Sequence, residues 1–248
     1  MTQVKEVNIY HLYHSGVAVQ TSNHFLIFDY YNDETLDNQE RSLDNGVIPI
    51  EILKTEDNTL VFVSHEHSDH YNPIVFDWEN YNQEINYILS DDIEVAKEDN
   101  YHKLSKYQEL KLEDVYIETY GTTDQGVSFY IEVDGLNIFH SGDLNWWHWN
   151  KFTPEEQKQE EADYKAELDR LKGKNIDVAF VPVDHRLEEH YYLAAKYFAE
   201  TINPELIVPI HFRDNYYVTT DFKKEFNDLS VDFVEIKDRG QKIIFEMN

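Results

Sequence analysis

The sequence predicts an α+β domain on three observations. Short apolar, β-branched runs recur along the chain, many are joined by tight polar turns, and helical segments lie between them. With 248 residues and no tract that reads as a linker or low-complexity segment, the chain is expected to form one domain over 1–248.

The first strands are expected at 7–13, 17–21 and 25–29, joined by His14-Ser15-Gly16 and Ser22-Asn23-His24, an antiparallel meander. Residues 31–46 are polar and acidic and read as an irregular surface loop. A short helix over 73–78, a strand over 86–90 and a helix over 91–98 follow, the last with Asp91 and Asp92 as capping residues. Strands are expected at 115–120, 127–133 and 136–140, the last two joined at Asp134-Gly135. Thr153-Pro154-Glu155-Glu156 opens a helix that runs to Leu171, with Ala162, Ala166, Leu168 and Leu171 as its apolar stripe and Gly173 as its stop. The remainder reads as a strand over 176–183, a helix over 188–201, a strand over 206–210 and a helix over 222–229. A hairpin of 233–236 and 242–245 around Arg239-Gly240 closes the chain.

The chemistry concentrates where the run from Leu60 to Val63 stops. Ser64-His65-Glu66-His67-Ser68-Asp69-His70 packs three histidines and two carboxylates within six positions. Side chains two apart in an extended chain project to one side, so His65 and His67 can aim at one ion. A tight turn then brings Asp69 and His70 to the opposite wall. Such nitrogen and oxygen donors suit zinc, manganese or ferrous iron. Other predicted strands also end on chemistry-bearing residues: Asp143 follows Gly142, His211 follows Ile210, and Asp184 and His185 follow the run ending at Val183.

Composition narrows the partners. The 21 basic and 49 acidic residues give a formal net charge of −28, which disfavours a nucleic-acid substrate and favours a small molecule. Cysteine is absent, so thiolate ligands, disulfides and a cysteine nucleophile are excluded. The polar start and the lack of a long apolar run point to a soluble cytoplasmic protein with no membrane contact. Homo-oligomer formation is left open.

In this order, Ser-His-Glu-His-Ser-Asp-His, Phe-His-Ser-Gly-Asp and Val-Pro-Ile-His resemble the motifs of the metallo-β-lactamase fold superfamily. Tyr-His-Ser-Gly-Val and Pro-Val-Asp-His-Arg-Leu further resemble the branch that includes ascorbate-phosphate lactonase. The resemblance spans residues 7–212 and implies an αββα sandwich, two mixed sheets flanked by helices, with one or two divalent ions at the sheet edge. Zinc is the first expectation for those ions, with manganese or iron as alternatives. By position, His65 and His67 resemble first-site ligands, Asp69 and His70 second-site ligands, Asp143 the bridging carboxylate and His211 the second-site histidine. Asp69 and Asp143 then serve the reaction as well, one orienting water and one holding the metals together.

One family ligand is absent. A Gly-His-Thr turn is the family's usual source of a third first-site histidine, and here Thr122 stands in that place, within Gly121-Thr122-Thr123-Asp124. Asp124, His14 or His148 can be imagined to substitute, or the first site is weak. Asp184 and His185 are expected as partners that orient a ligand, and Trp146, Trp147 and Trp149 as an apolar wall of the substrate pocket. The implied activity is metal-assisted hydrolysis of a small ester, lactone or phosphoester by an activated water. The alternatives are a nuclease of the same fold, for which Lys103, Lys106 and Lys111 are the few backbone-binding candidates, or a metal-binding module without turnover.

Overall fold

The computed structural model describes residues 5–36, 39–96 and 98–247. Strands β1 (Lys5–Tyr13), β2 (Gly16–Gln20) and β3 (Phe25–Phe28) form the expected antiparallel meander. Helix α1 (Ile50–Leu53) leads into β4 (Thr59–Val63), and α2 (Ile74–Asp77) into β5 (Asn86–Ser90) and β6 (Tyr101–Leu104). Strands β4, β5 and β6 add to β3 in parallel.

The second sheet repeats the scheme. Antiparallel β7 (Glu109–Leu112), β8 (Val115–Tyr120), β9 (Ser128–Val133) and β10 (Leu136–His140) are followed by helix α3 (Pro154–Leu171) and parallel β11 (Val178–Pro182). Helix α4 (Leu193–Ile202), β12 (Leu206–Ile210), α5 (Tyr217–Glu225), β13 (Asp232–Phe233) and β14 (Lys242–Met247) complete the order. The two seven-stranded mixed sheets run β14-β1-β2-β3-β4-β5-β6 and β13-β12-β11-β10-β9-β8-β7. Together with the flanking helices they form the expected α+β sandwich.

Strand β4 shows why its run is apolar throughout. Leu60 and Phe62 belong to the core shared with Phe129 and Ile131 of the other sheet, whereas Val61 and Val63 pack with Leu53, Val75 and Trp78. A strand covered on both faces loses the alternation of a half-exposed one. In α3 the capping box at Thr153 and Glu156 is present as read. Its buried stripe is Tyr164, Leu168 and Leu171, spaced i, i+4, i+7, while Ala162 and Ala166 face solvent.

Several expected elements differ, among them the helix expected over 222–229, which runs Tyr217–Glu225. Residues 91–98 form no helix where they are described, residue 97 lying outside the described set. Asp91 donates its amide to the Leu104 carbonyl and its carboxylate accepts from Ser105, so it ties the turn to the end of β6 and caps nothing. The helix expected over 188–201 begins at Leu193, because Glu188 takes a backbone conformation outside any helix, φ 53° and ψ −121°. The closing hairpin is absent: β13 pairs with β12 in one sheet, and β14 pairs with β1 in the other. The expected 31–46 loop holds a 3-10 turn at Leu43–Asn45, and residues 37, 38 and 1–4 lie outside the described set. Strands β6 and β7 and helix α1 were not anticipated.

Far from the histidines, Asp134 ties the sheets together. Its carboxylate accepts from Thr21 Oγ1, from Asn23 N at 2.9 Å and from His24 Nδ1 at 3.0 Å. Burial pushes the carboxyl up, but those hydrogen bonds outweigh it and hold it well below the ordinary carboxylate range. The stability it contributes is therefore present above the ordinary carboxylate pKa and is lost as pH falls below it. Asp134→Ala is expected to cost about 1–3 kcal/mol at pH 7. Thermal melts should show the gap from wild type narrowing below about pH 4; a gap that widens there would contradict the assignment.

Candidate metal centre

Every histidine of the site arrives on a strand end or a tight turn. Past β4, Ser64 and His65 continue the extended chain, and a turn closed by His70 N on the His67 carbonyl at 2.9 Å brings His70 back. Gly126 lies against that stretch: with φ +73°, its position would put a Cβ 1.9 Å from the Ser64 carbonyl oxygen and 2.5 Å from His65 Cβ. Beyond β10, Gly142 turns Asp143 inward. His211 follows β12, and His14 sits in the turn between β1 and β2. His14, His65, His70, Asp143 and His211 are all buried.

Asp143 stands between two donor groups. Its Oδ1 lies 3.0 Å from His70 Nε2 and 3.1 Å from His211 Nε2, and its Oδ2 lies 3.5 Å from His65 Nε2. His65 Nε2 and His67 Nδ1 are 3.1 Å apart. The ligand atoms of His65, His67 and Asp143 lie within 4.8 Å of one another, and so do those of His14, His70 and His211.

These atoms fit a divalent ion. His70 Nε2, Asp143 Oδ1 and both nitrogens of His14 are buried without a hydrogen-bond partner. Such orphaned polar atoms are rare inside proteins unless something else satisfies them. The set holds imidazole and carboxylate alone, a borderline-to-hard chemistry suited to zinc, iron or manganese.

Two buried aspartates aim the rings. Asp29 accepts from His70 Nδ1 at 2.8 Å, from Ser64 N at 2.8 Å and from Ser64 Oγ at 2.7 Å. Asp184 accepts from His211 Nδ1 at 3.1 Å and from Arg186 Nη2 at 2.6 Å. Burial lowers the His70 imidazole, but Asp143 and Asp29 outweigh it and push its pKa up to about 10. His65, lowered by burial and by His70, falls to about 4. Burial and His211 also keep His14 well below the ordinary histidine value, so it presents a neutral ring.

A sequence model described as a beta-lactamase superfamily domain matches residues 8–211. The chain belongs to the metallo-β-lactamase superfamily. No curated protein matches it in a sequence comparison. Among solved structures, the metallo hydrolase Igni18 of Ignicoccus hospitalis is similar at 14% identity, covering 98% of this chain and 100% of that one, with a TM-score of 0.63. A metal-dependent hydrolase from Parabacteroides distasonis is similar at 17% identity, 94% coverage of both chains and a TM-score of 0.59. CmlA of Streptomyces venezuelae, a diiron beta-hydroxylase, is similar at 8% identity and a TM-score of 0.60, covering 99% of this chain and 55% of that one. At these identities the likeness is one of fold.

In this superfamily member a cleft of about 450 Å³ opens over the histidines, lined among others by His67, Asp69, Asp124, Asp143, Arg186 and His211. Trp147 and Trp149, stacked with centroids 5.8 Å apart, form one wall. Trp146 does not join them; it packs against Tyr164 and Tyr197. His148 pairs with the His190 ring at 4.3 Å, and His185 Nε2 meets Asn215 Nδ2 at 3.2 Å and lines a separate small pocket, so neither lines this cleft. Thr122 Oγ1 donates to the Gln125 carbonyl, and Asp124 lies in the cleft lining, its carboxyl pushed up by burial and by Asp143.

Sequence reasoning missed Asp29, Arg186 and Arg213, the last of which donates from Nη2 to Asp69 Oδ2 at 2.9 Å. Asp29 had a legible signal, a carboxylate at the end of an apolar strand, but it ends a strand far from the histidine cluster in the chain. Asp29→Ala is expected to weaken metal binding by about 10–100-fold, as loss of a ligand's outer partner does. Competition with a chelator of known affinity measures this, and an unchanged affinity would sink the assigned role.

Proposed function

We propose that this protein is a metal-dependent hydrolase of a small ester, lactone or phosphoester. The observation that carries the reading is Asp143, whose two oxygens face two separate histidine groups at the floor of a cleft. His65, His67 and Asp143 would hold one ion, and His70, His211 and Asp143 the other. When bound, such ions supply Lewis acidity toward water and toward a carbonyl or phosphoryl oxygen.

The chain's residues do the rest. Asp29 and Asp184 hold the Nδ1–H of His70 and His211, which fixes the tautomer and turns each Nε2 inward. Asp69, on the cleft wall, would accept a hydrogen bond from water and orient it. Trp147, Trp149 and Phe152 exclude bulk water and give an apolar substrate face. Arg186, anchored by Asp184, offers its remaining N–H groups to an anionic oxygen. The cleft volume suits a small molecule, and an acidic chain with one arginine in the cleft lining suits a polymer of phosphates poorly. The ascorbate-phosphate lactonase branch stays an expectation of the sequence motifs alone.

Zinc-, manganese- and iron-loaded protein should be assayed on lactones, carboxyl esters, phosphomonoesters and phosphodiesters, with a chelated control. Turnover in one class, lost on chelation, supports the reading. Bound metal without turnover in any class favours the module without activity, a reading that Thr122 supports because it stands where the family's motif places a histidine.

A further inference from the structure

Asp69 is expected among the ligands of the ion at His70, yet its carboxylate is engaged elsewhere. Its Oδ2 accepts from Arg213 Nη2 at 2.9 Å. His14 occupies the complementary position. Its ring is buried, its centroid is 4.1 Å from that of His211 and 5.7 Å from that of His70, and its carbonyl accepts from His211 N at 3.0 Å. The nearest carboxylate oxygen, Asp69 Oδ2, is 3.5 Å from His14 Nε2, and that nitrogen has no hydrogen-bond partner.

The backbone is bent to make this arrangement. His14, His211 and Arg213 have φ of 55°, 70° and 51°, a region that residues with side chains seldom adopt. Strain of this kind persists where the surroundings impose it, and it clusters at ligand clamps. Two of the three carry rings of one donor group, and the third carries the guanidinium that holds Asp69.

We propose that the ion seat around His70 is built from His14, His70 and His211 with a shared Asp143, while Arg213 keeps Asp69 outside it as a carboxylate at the cleft wall. The inference rests on the metal-dependent reading above, but its test reads coordination and not turnover. Three imidazoles and one carboxylate favour zinc or iron over magnesium or calcium. The arrangement also separates roles: Asp69 stays available to water or substrate, because it is not consumed as a ligand.

Wild-type protein labelled with ¹⁵N-histidine and loaded with zinc gives the first test. The His14 ring nitrogen should move to a metal-bound shift on loading, alongside those of His70 and His211. A loaded wild-type spectrum in which His14 stays metal-free overturns the proposal, whatever the hydrolysis assays give. Chelator competition on variants gives the second. His14→Ala should weaken one zinc equivalent by more than about 100-fold, beyond what an outer partner contributes, whereas Asp69→Ala should change it by less than about 10-fold. The reverse ranking in folded variants also overturns it. Arg213→Ala should free Asp69 and shift the Asp69 carboxyl signal on zinc loading; in wild type that signal should stay put.

Discussion

Asp143→Asn is expected to release both ions and to reduce turnover to the level of the chelated protein. One carboxylate serves two donor groups, His65 on one oxygen and His70 with His211 on the other, so a single substitution disturbs both. The amide keeps the shape but loses the charge and one acceptor oxygen. Affinity for each of the two zinc equivalents should fall by more than about 100-fold, exceeding the effect of removing an outer partner such as Asp29. His65→Ala, by contrast, should weaken one equivalent and leave the other near its wild-type affinity. Elemental analysis after dialysis against a weak chelator separates the two patterns. If Asp143→Asn loses one ion and retains the other tightly, Asp143 does not serve both groups.

Arg239→Ala is expected to give the largest loss of stability. Arg239 is buried, and its guanidinium donates to four main-chain carbonyls: Leu12 at 2.9 Å, Glu34 at 2.7 Å, Asn32 at 2.7 Å and Gly46 at 3.0 Å. These carbonyls belong to the segment before His14 and to the loop that follows Asp29, so one side chain fastens the backing of the metal centre. Removing it orphans four acceptors, each at about 1–3 kcal/mol when buried, less where water enters. A net loss of roughly 3–6 kcal/mol follows, or about 6–24 °C in Tm for a domain of this size. Arg239→Lys should recover part of it, since an ammonium has three donors and lacks the planar fork. A melting temperature within about 2 °C of wild type for Arg239→Ala would contradict the role. At the neighbouring Gly240, with φ +80°, an added Cβ would lie 2.0 Å from the Asp44 carbonyl oxygen, so the same junction also demands glycine.

The sequence alone determined the parts of this protein whose cause is local. Strand β4 is legible because four apolar residues, Leu60 to Val63, end abruptly before the histidines, and helix α3 because Thr153, Pro154 and Glu156 cap it through neighbours in the chain. The candidate donors His65, His67, His70, Asp143 and His211 were legible because each sits at the end of a readable strand. Tertiary structure decided what depends on distant partners. The last two strands read as a hairpin from turn chemistry, yet they part into different sheets, because each finds an edge to pair with that lies far away in the chain. Asp91 and Asp92 looked like helix caps until β6 claimed the Asp91 amide. Trp146, Trp147 and Trp149 are equivalent in sequence, but helices α3 and α4 bury the first and leave the others to the cleft. The same holds at the metal centre: which histidines share a seat, which aspartates steer them and which arginine holds Asp69 are set by side chains that converge from separate strand ends, Asp184 and His211 lying 27 residues apart in the chain and Asp69 and Arg213 144 apart.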